Sequence, residues 1–289
     1  MVISHRLKGF DWHDASESGL QKALAANVPA IEIDIRTTKD NQLLINHDAW
    51  ISPSIAENTL ICEYTLKEIR DFYKKALRPC TPLTLSGFLS HMSGRGIRIF
   101  IDIKEYGFEE RILNMLKEHN MLDTSTIVSW LPESLLKFHT LCNNVPLCFS
   151  HYPVSSKMHF YWQRTGLRTS IKFHRWQENL PAVKTNFHYN AYNRTNFPIY
   201  DTLYYRGTDH EHFVKGAISG SLLAAIRTTK GSVYIHRNRL NPILIESYNK
   251  LGIGIVVYGI RSEAQLECVL LYKPEGVMVD APGLLGRDV

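Results

Sequence analysis

The sequence contains no apolar run of the roughly 18 residues that a bilayer-spanning helix needs. It also lacks a charged-then-apolar leader and enters structure almost at once, at VISH (2 to 5), so neither a membrane span nor a signal peptide is expected. Cysteine is scarce: Cys62, Cys80, Cys142, Cys148 and Cys268 are odd in number, scattered, and without CxxC spacing. That argues against a disulfide framework or a zinc site and favours a reducing cytoplasm. Neither GxGxxG nor GxxxxGK follows any β-type run, so the common nucleotide-binding turns are missing too.

What is present is a rhythm. At 289 residues and 44% hydrophobic content the chain is able to bury one large core. Eight short β-branched runs occur: VISH (2 to 5), AIEIDI (30 to 35), RIFIDIK (98 to 104), STIVSW (125 to 130), VPLCFS (145 to 150), SVYIH (232 to 236), GIVVYG (254 to 259) and GVMVD (276 to 280). Segments such as SGLQKALAANV, FEERILNMLKEHNM and NPILIESYNKLG lie between them, with Leu, Ile and Phe at three- and four-residue spacings. Strand and helix alternating eight times predict a single-domain (β/α)8 TIM barrel over residues 1 to 289.

A barrel of this kind carries its chemistry at the C-terminal ends of its strands. His5 and Arg6 close the first run, Glu32 and Asp34 lie in the second with Arg36 beyond, Asp102 and Lys104 close the third, and His236 and Asp280 close the sixth and eighth. Period two puts Glu32 and Asp34 on one face of their strand. Carboxylates so placed offer hard oxygen ligands to a cation such as Mg²⁺ or Ca²⁺.

SHR (4 to 6), ESGLQKAL (17 to 24) and AIEIDIRTTKDNQLLINHD (30 to 48), followed by IDIK (101 to 104), IVSW (127 to 130) and VYGIRSEAQLECVLLYKPEGVMVDAP (257 to 282), resemble the ordered motifs of the glycerophosphodiester phosphodiesterase family. The resemblance covers residues 1 to 150 and 231 to 285. It implies a metal-dependent phosphoric diester hydrolase of lipid metabolism, releasing an alcohol and glycerol phosphate from a small anionic phosphodiester. His5 and His47 correspond to the family's catalytic histidines, and Glu32, Asp34 and Asp102 to ligands of one divalent cation. Arg6 and Lys104 are expected at the phosphate, and Glu17, Ser129, Trp130, His236 and Tyr258 in support or in the pocket wall. His13 is expected at the surface.

Three departures stand out. Leu7 replaces the glycine that follows His-Arg, which predicts a longer or differently shaped phosphate-side loop. Asp102 stands for Glu, and Tyr258-Gly259 for Trp-Thr. Spider-venom-type phospholipase D enzymes pair histidines and acids in a similar barrel and supply the alternative reading of cleavage or cyclisation of a lysolipid or a glycerol-phosphate glycan. The reading from a different class is a non-catalytic barrel that binds anions.

Residues 151 to 230 remain unmatched. Eleven Lys and Arg stand there against four acids, a net of +7, so the rest of the chain sums to −2 of the overall +5. Fourteen of the 31 Phe, Trp and Tyr residues fall in the same segment. A lid inserted between the fifth and sixth barrel strands, over an anionic small substrate, is expected in preference to a nucleic-acid surface. GAISGSLLAAIRTT (216 to 229) is the alternative source of an ordinary outer helix.

Overall fold

The computed structural model describes residues 1–14, 16–52, 55–56, 59–105, 107–150, 218 and 220–286. Nine strands are formed: β1 (Val2–His5), β2 (Ala30–Thr37), β3 (Leu43–Ile45), β4 (Arg98–Ile103), β5 (Ser125–Ser129), β6 (Leu147–Ser150), β7 (Ser232–His236), β8 (Gly254–Ile260) and β9 (Gly276–Val279). All but β3 pair in parallel, in the order β1-β9-β8-β7-β6-β5-β4-β2, and β1 pairs with β2 to close the ring. This is the expected TIM barrel. Its helices in the described residues are α1 (Glu17–Ala25), α2 (Leu66–Lys75), α3 (Leu85–Met92), α4 (Glu109–Glu118), α5 (Pro132–Leu141), α6 (Gly220–Thr228), α7 (Pro242–Leu251) and α8 (Glu263–Leu270).

Alternation along each strand explains the layers. Ile31, Ile33, Ile35, Ile99, Ile101, Ile103, Val233 and Ile235 face outward into one continuous core with helix residues such as Leu20, Phe88, Ile112 and Phe138. The alternate positions Ile3, Ala30, Phe100, Val128, Cys148, Tyr234, Val256 and Met278 fill the barrel interior, one from each strand. Two residues further along each strand, the same inner face carries His5, Glu32, Asp102, Trp130, Ser150, His236, Tyr258 and Asp280. The apolar plug thus ends in one step and a polar floor begins at the C-terminal mouth.

Local signals fix the ends of the helices. The Ser16 hydroxyl accepts from the Gly19 N–H at the start of α1, and Thr65 with Glu68 forms a reciprocal capping box on α2. Thr84, Asn241 and Ser262 cap α3, α7 and α8 in the same way.

Two irregular connections shape the mouth. After β1, Arg6 and Leu7 both take positive φ, 55° and 56°, and the Lys8 N–H donates to the His5 carbonyl. Positive φ at both central residues is the pattern of a tight I′ turn. After β2, the chain turns through Thr38–Gln42 and returns as antiparallel β3, and the Asn46 N–H then donates to the Asp34 carbonyl. That hairpin carries His47 back to the acids.

The outer helix between β6 and β7 is α6, so the C-terminal end of the 151 to 230 segment belongs to the barrel and not to an insertion. The rest of the expected lid, residues 151 to 217, lies outside the described residues.

Candidate active site

Register brings the acids together. β1 and β2 pair His5 with Glu32, and β2 and β4 pair Asp34 with Asp102. Glu32, Asp34 and Asp102 are all buried, and one carboxylate oxygen from each lies within 4.8 Å of the others. Asp102 reaches the cluster although it is one methylene shorter than Glu. Lys104 sits between two of the acids, its Nζ 2.8 Å from Asp34 Oδ1 and 2.5 Å from Asp102 Oδ2. Arg6 approaches from the turn, with Nε 3.3 Å from Asp34 Oδ2.

The cluster is electrostatically divided. Burial alone would raise the Asp34 carboxyl, but Lys104, His47 and Arg6 hold it well below the usual carboxylate range. Burial pushes Glu32 well above that range, and the Asp34 and Asp102 charges push it further. Burial would lower Lys104, yet the two acids beside it hold its pKa above the ordinary lysine value. Glu32 Oε2, Asp34 Oδ2 and Asp102 Oδ1 are buried with no hydrogen-bond donor. Three clustered carboxylate oxygens without donors are the complement of a hard divalent cation. The donor set therefore fits Mg²⁺ or Ca²⁺.

The two histidines flank the acids. His5 Nδ1 lies 2.5 Å from Asp280 Oδ1, while its Nε2 accepts from Arg6 Nε at 3.1 Å and lies 3.9 Å from Glu32 Oε2. Desolvation lowers His5 to about 4 despite the Asp280 hydrogen bond, so the ring is neutral near pH 7. A carboxylate at Nδ1 fixes the proton there and leaves the Nε2 lone pair facing the acids. His47 is half-buried and pairs through Nδ1 with Asp48 Oδ1 at 2.8 Å. Its pKa is lowered by desolvation, against the opposing pull of Asp34 and Asp48. Arg6, Asp34 and His47 line a cleft of about 280 Å³ with Trp12, His13, Asp48 and Trp50.

Other expected positions differ in what they do. The His13 ring lines this cleft and its Nε2 is 2.9 Å from the Tyr73 hydroxyl, so it is a wall residue and not a surface one. Glu17 faces His91 at 3.9 Å, on the outside of the barrel, away from the acids. The Ser129 hydroxyl donates to the Ile103 carbonyl and accepts from the Leu131 N–H, stitching the β4 and β5 ends together. Trp130 is half-buried at the same rim. His236 accepts at Nδ1 from the Asn238 N–H and meets Tyr258 edge-on, with ring centroids 5.1 Å apart. Gly259 has φ +87°, and a Cβ there would come within 2.7 Å of His236 Nε2, which explains why Thr is absent. Leu7 takes a positive φ, which glycine adopts without strain, and the turn at Arg6 and Leu7 is tight.

Two strand-end residues that the sequence placed without a role, Asp280 and Arg36, position the histidines. Asp280 orients His5 and also meets Lys8 Nζ at 3.3 Å and Arg261 Nε at 3.2 Å. Arg36 is buried and donates from both Nε and Nη2 to the His47 carbonyl, at 3.0 and 2.9 Å. The signal for each was its inner-face position at a strand end.

The sequence profile of the glycerophosphoryl diester phosphodiesterase family matches residues 5–284. The chain belongs to that family. Its members are phosphoric diester hydrolases. A Bacillus subtilis protein, YhdW, whose name assigns it to the glycerophosphodiester phosphodiesterases, is 20% identical over 296 residues, covering 99% of this chain and 97% of its own. The crystal structure of a glycerophosphodiester phosphodiesterase from Agrobacterium tumefaciens shares the fold, with TM-score 0.63, 15% identity, and coverage of 98% of this chain and 97% of that one. An Oleispira antarctica phosphodiesterase, solved with the product sn-glycerol-3-phosphate, superposes with TM-score 0.64 at 15% identity, over 98% and 93% of the two chains. Among the described residues, no helix is long and apolar enough to cross a membrane.

Proposed function

We propose that this glycerophosphodiester phosphodiesterase relative hydrolyses a glycerophosphodiester to an alcohol and glycerol phosphate, using one divalent cation and histidine acid/base catalysis. The observation that carries the reading is the buried cluster of donor-free oxygens on Glu32, Asp34 and Asp102, flanked by His5 and His47. The Oleispira complex with sn-glycerol-3-phosphate, a relative of the same fold, supports glycerol phosphate as the product.

Glu32, Asp34 and Asp102 would hold Mg²⁺ or Ca²⁺, which supplies charge neutralisation for the nonbridging phosphate oxygens when bound. Arg6 adds fixed positive charge from the I′ turn, and Lys104 does so from the barrel floor. His5, neutral and oriented by Asp280, would take the proton of the attacking water at Nε2 once Arg6 turns from that nitrogen to the substrate phosphate, as oxygen adds to phosphorus. The phosphorus–oxygen bond to the alcohol breaks, and a His47 that has taken a proton from solvent, with Asp34 and Asp48 beside it favouring the charged ring, gives that proton to the departing oxygen. Five cysteines, all free, suit a reducing cytoplasm.

The test is a panel of glycerophosphodiesters, including glycerophosphocholine, incubated with Mg²⁺, Ca²⁺ or excess chelator and read by product mass. Cation-dependent release of glycerol phosphate is expected. Turnover that persists in chelator would remove the metal from the mechanism, and an intact panel would remove the activity.

A further inference from the structure

Tyr234 is the one residue of the barrel's interior layer with a side-chain oxygen. Its companions are Ile3, Ala30, Phe100, Val128, Cys148, Val256 and Met278. A phenylalanine would fill the same space. The hydroxyl is nevertheless there, fully buried, and without a hydrogen-bond partner. Leaving a buried donor unmade is destabilising, and nothing in the layer repays it.

The position of that hydroxyl narrows its use. The Tyr234 ring lies 6.1 Å, centroid to centroid, from Phe100. Phe100 is the register partner of Glu32, and Asp102 is the next inner-face residue on the same strand. Tyr234 therefore belongs to the layer next below the one that carries Glu32 and Asp102. Above it are three carboxylate oxygens that lack donors, and within the layer is one phenol that lacks an acceptor. A phenol carries one O–H donor, and a carboxylate oxygen is the complementary acceptor.

We infer that Tyr234 is a positioning residue for the cation ligands, its hydroxyl donating upward to an oxygen of the Glu32–Asp102 pair, directly or through one water, when the site is loaded. This rests on the metal-dependent reading above. It accounts for a tyrosine where shape alone asks for phenylalanine. Groups that orient metal ligands from behind are worth 10–100-fold in affinity when removed.

The experiment compares the native protein with Tyr234→Phe, which deletes only the oxygen. Calorimetric titration with Mg²⁺ and with Ca²⁺ should show affinity about tenfold weaker or worse in the variant. Its metal-free melting temperature should be equal or higher, because a stranded donor has gone, and saturating cation should restore most of the rate. Equal affinities in the two proteins would overturn the inference while leaving the metal site intact. A fall in metal-free stability with a rate that cation does not restore would make Tyr234 structural only, which also overturns it. A native protein that binds neither ion would overturn the metal-dependent reading itself.

Discussion

His5 and Asp280 are 275 positions apart in sequence and share a 2.5 Å contact between Nδ1 and Oδ1. The pair forms because β1 and β9 are neighbours in the closed ring, so the carboxylate at the end of the last strand reaches the imidazole at the end of the first. Asp280 is itself held well below the usual carboxylate range: burial would raise it, but His5 and Lys8 outweigh that. An ionised carboxylate at Nδ1 sets which nitrogen of His5 carries the proton, and Nε2 then accepts from Arg6.

Asp280→Asn should accordingly reduce kcat on the order of 10- to 10²-fold while leaving cation affinity unchanged, because only the tautomer and orientation of His5 are disturbed. His5→Ala and His47→Ala should each cost on the order of 10²-fold or more, the range of acid–base contributions. Steady-state rates at saturating cation test all three, and native rates in either alanine variant would discard the histidine mechanism.

Glu32→Gln and Asp34→Ala should separate binding from stability. Glu32 is not ion-paired to Lys104, so Glu32→Gln should abolish cation binding with little change in the metal-free melting temperature. Asp34→Ala strips a buried ammonium of one of its two partners and should destabilise by about 3–5 kcal/mol. Chemical denaturation in chelator distinguishes them, the expectation being a shifted midpoint for Asp34→Ala alone.

Lowering the His5 pKa from 6.5 to about 4 makes the unfolded chain bind its proton first as pH falls. Between pH 6.5 and 4 the unfolded state holds more protons at this position, so stability contributed here is present above pH 6.5 and declines toward pH 4. In chelator, the native protein should lose stability across that window faster than His5→Gln. Parallel urea midpoints for the two proteins would show that the ring is not buried as a neutral base.

Arg36 presents two N–H groups to one carbonyl, a planar fork that lysine does not reproduce. Arg36→Lys should release the His47 segment and slow turnover about tenfold, with calorimetric cation binding unaffected. Rates equal to native would mean that the β3 hairpin positions His47 unaided.

The fold was legible because a parallel barrel repeats one pattern eight times, and every β-branched run became a strand. Glu32, Asp34 and Asp102 were legible for a related reason: charged residues on the inner face of an apolar strand need a use. Asp280 as a partner for His5 was not, since period and propensity are local and the contact depends on ring closure. His13 carries no sign in the sequence that Tyr73, far along the chain, will bond it into a wall. The backbone of Leu7 was not legible either: its side chain is buried while its φ is one that glycine favours, and composition records only the side chain. Glu17 matched a motif position, but its helix points the carboxylate toward His91 and out of the mouth.

Closure of the ring between β1 and β9 also sets when Asp280 reaches His5. On a ribosome adding ~5–20 residues per second, His5 emerges roughly a quarter of a minute to a minute before Asp280. Throughout that interval Glu32, Asp34 and Asp102 are already synthesised, yet the first strand has only β2 to hold it. A nascent chain stalled short of β9 thus has its acids and its imidazole but not the carboxylate that orients it. On the proposed mechanism, full activity would wait for β9, and its appearance during synthesis or refolding would time the closure of the barrel.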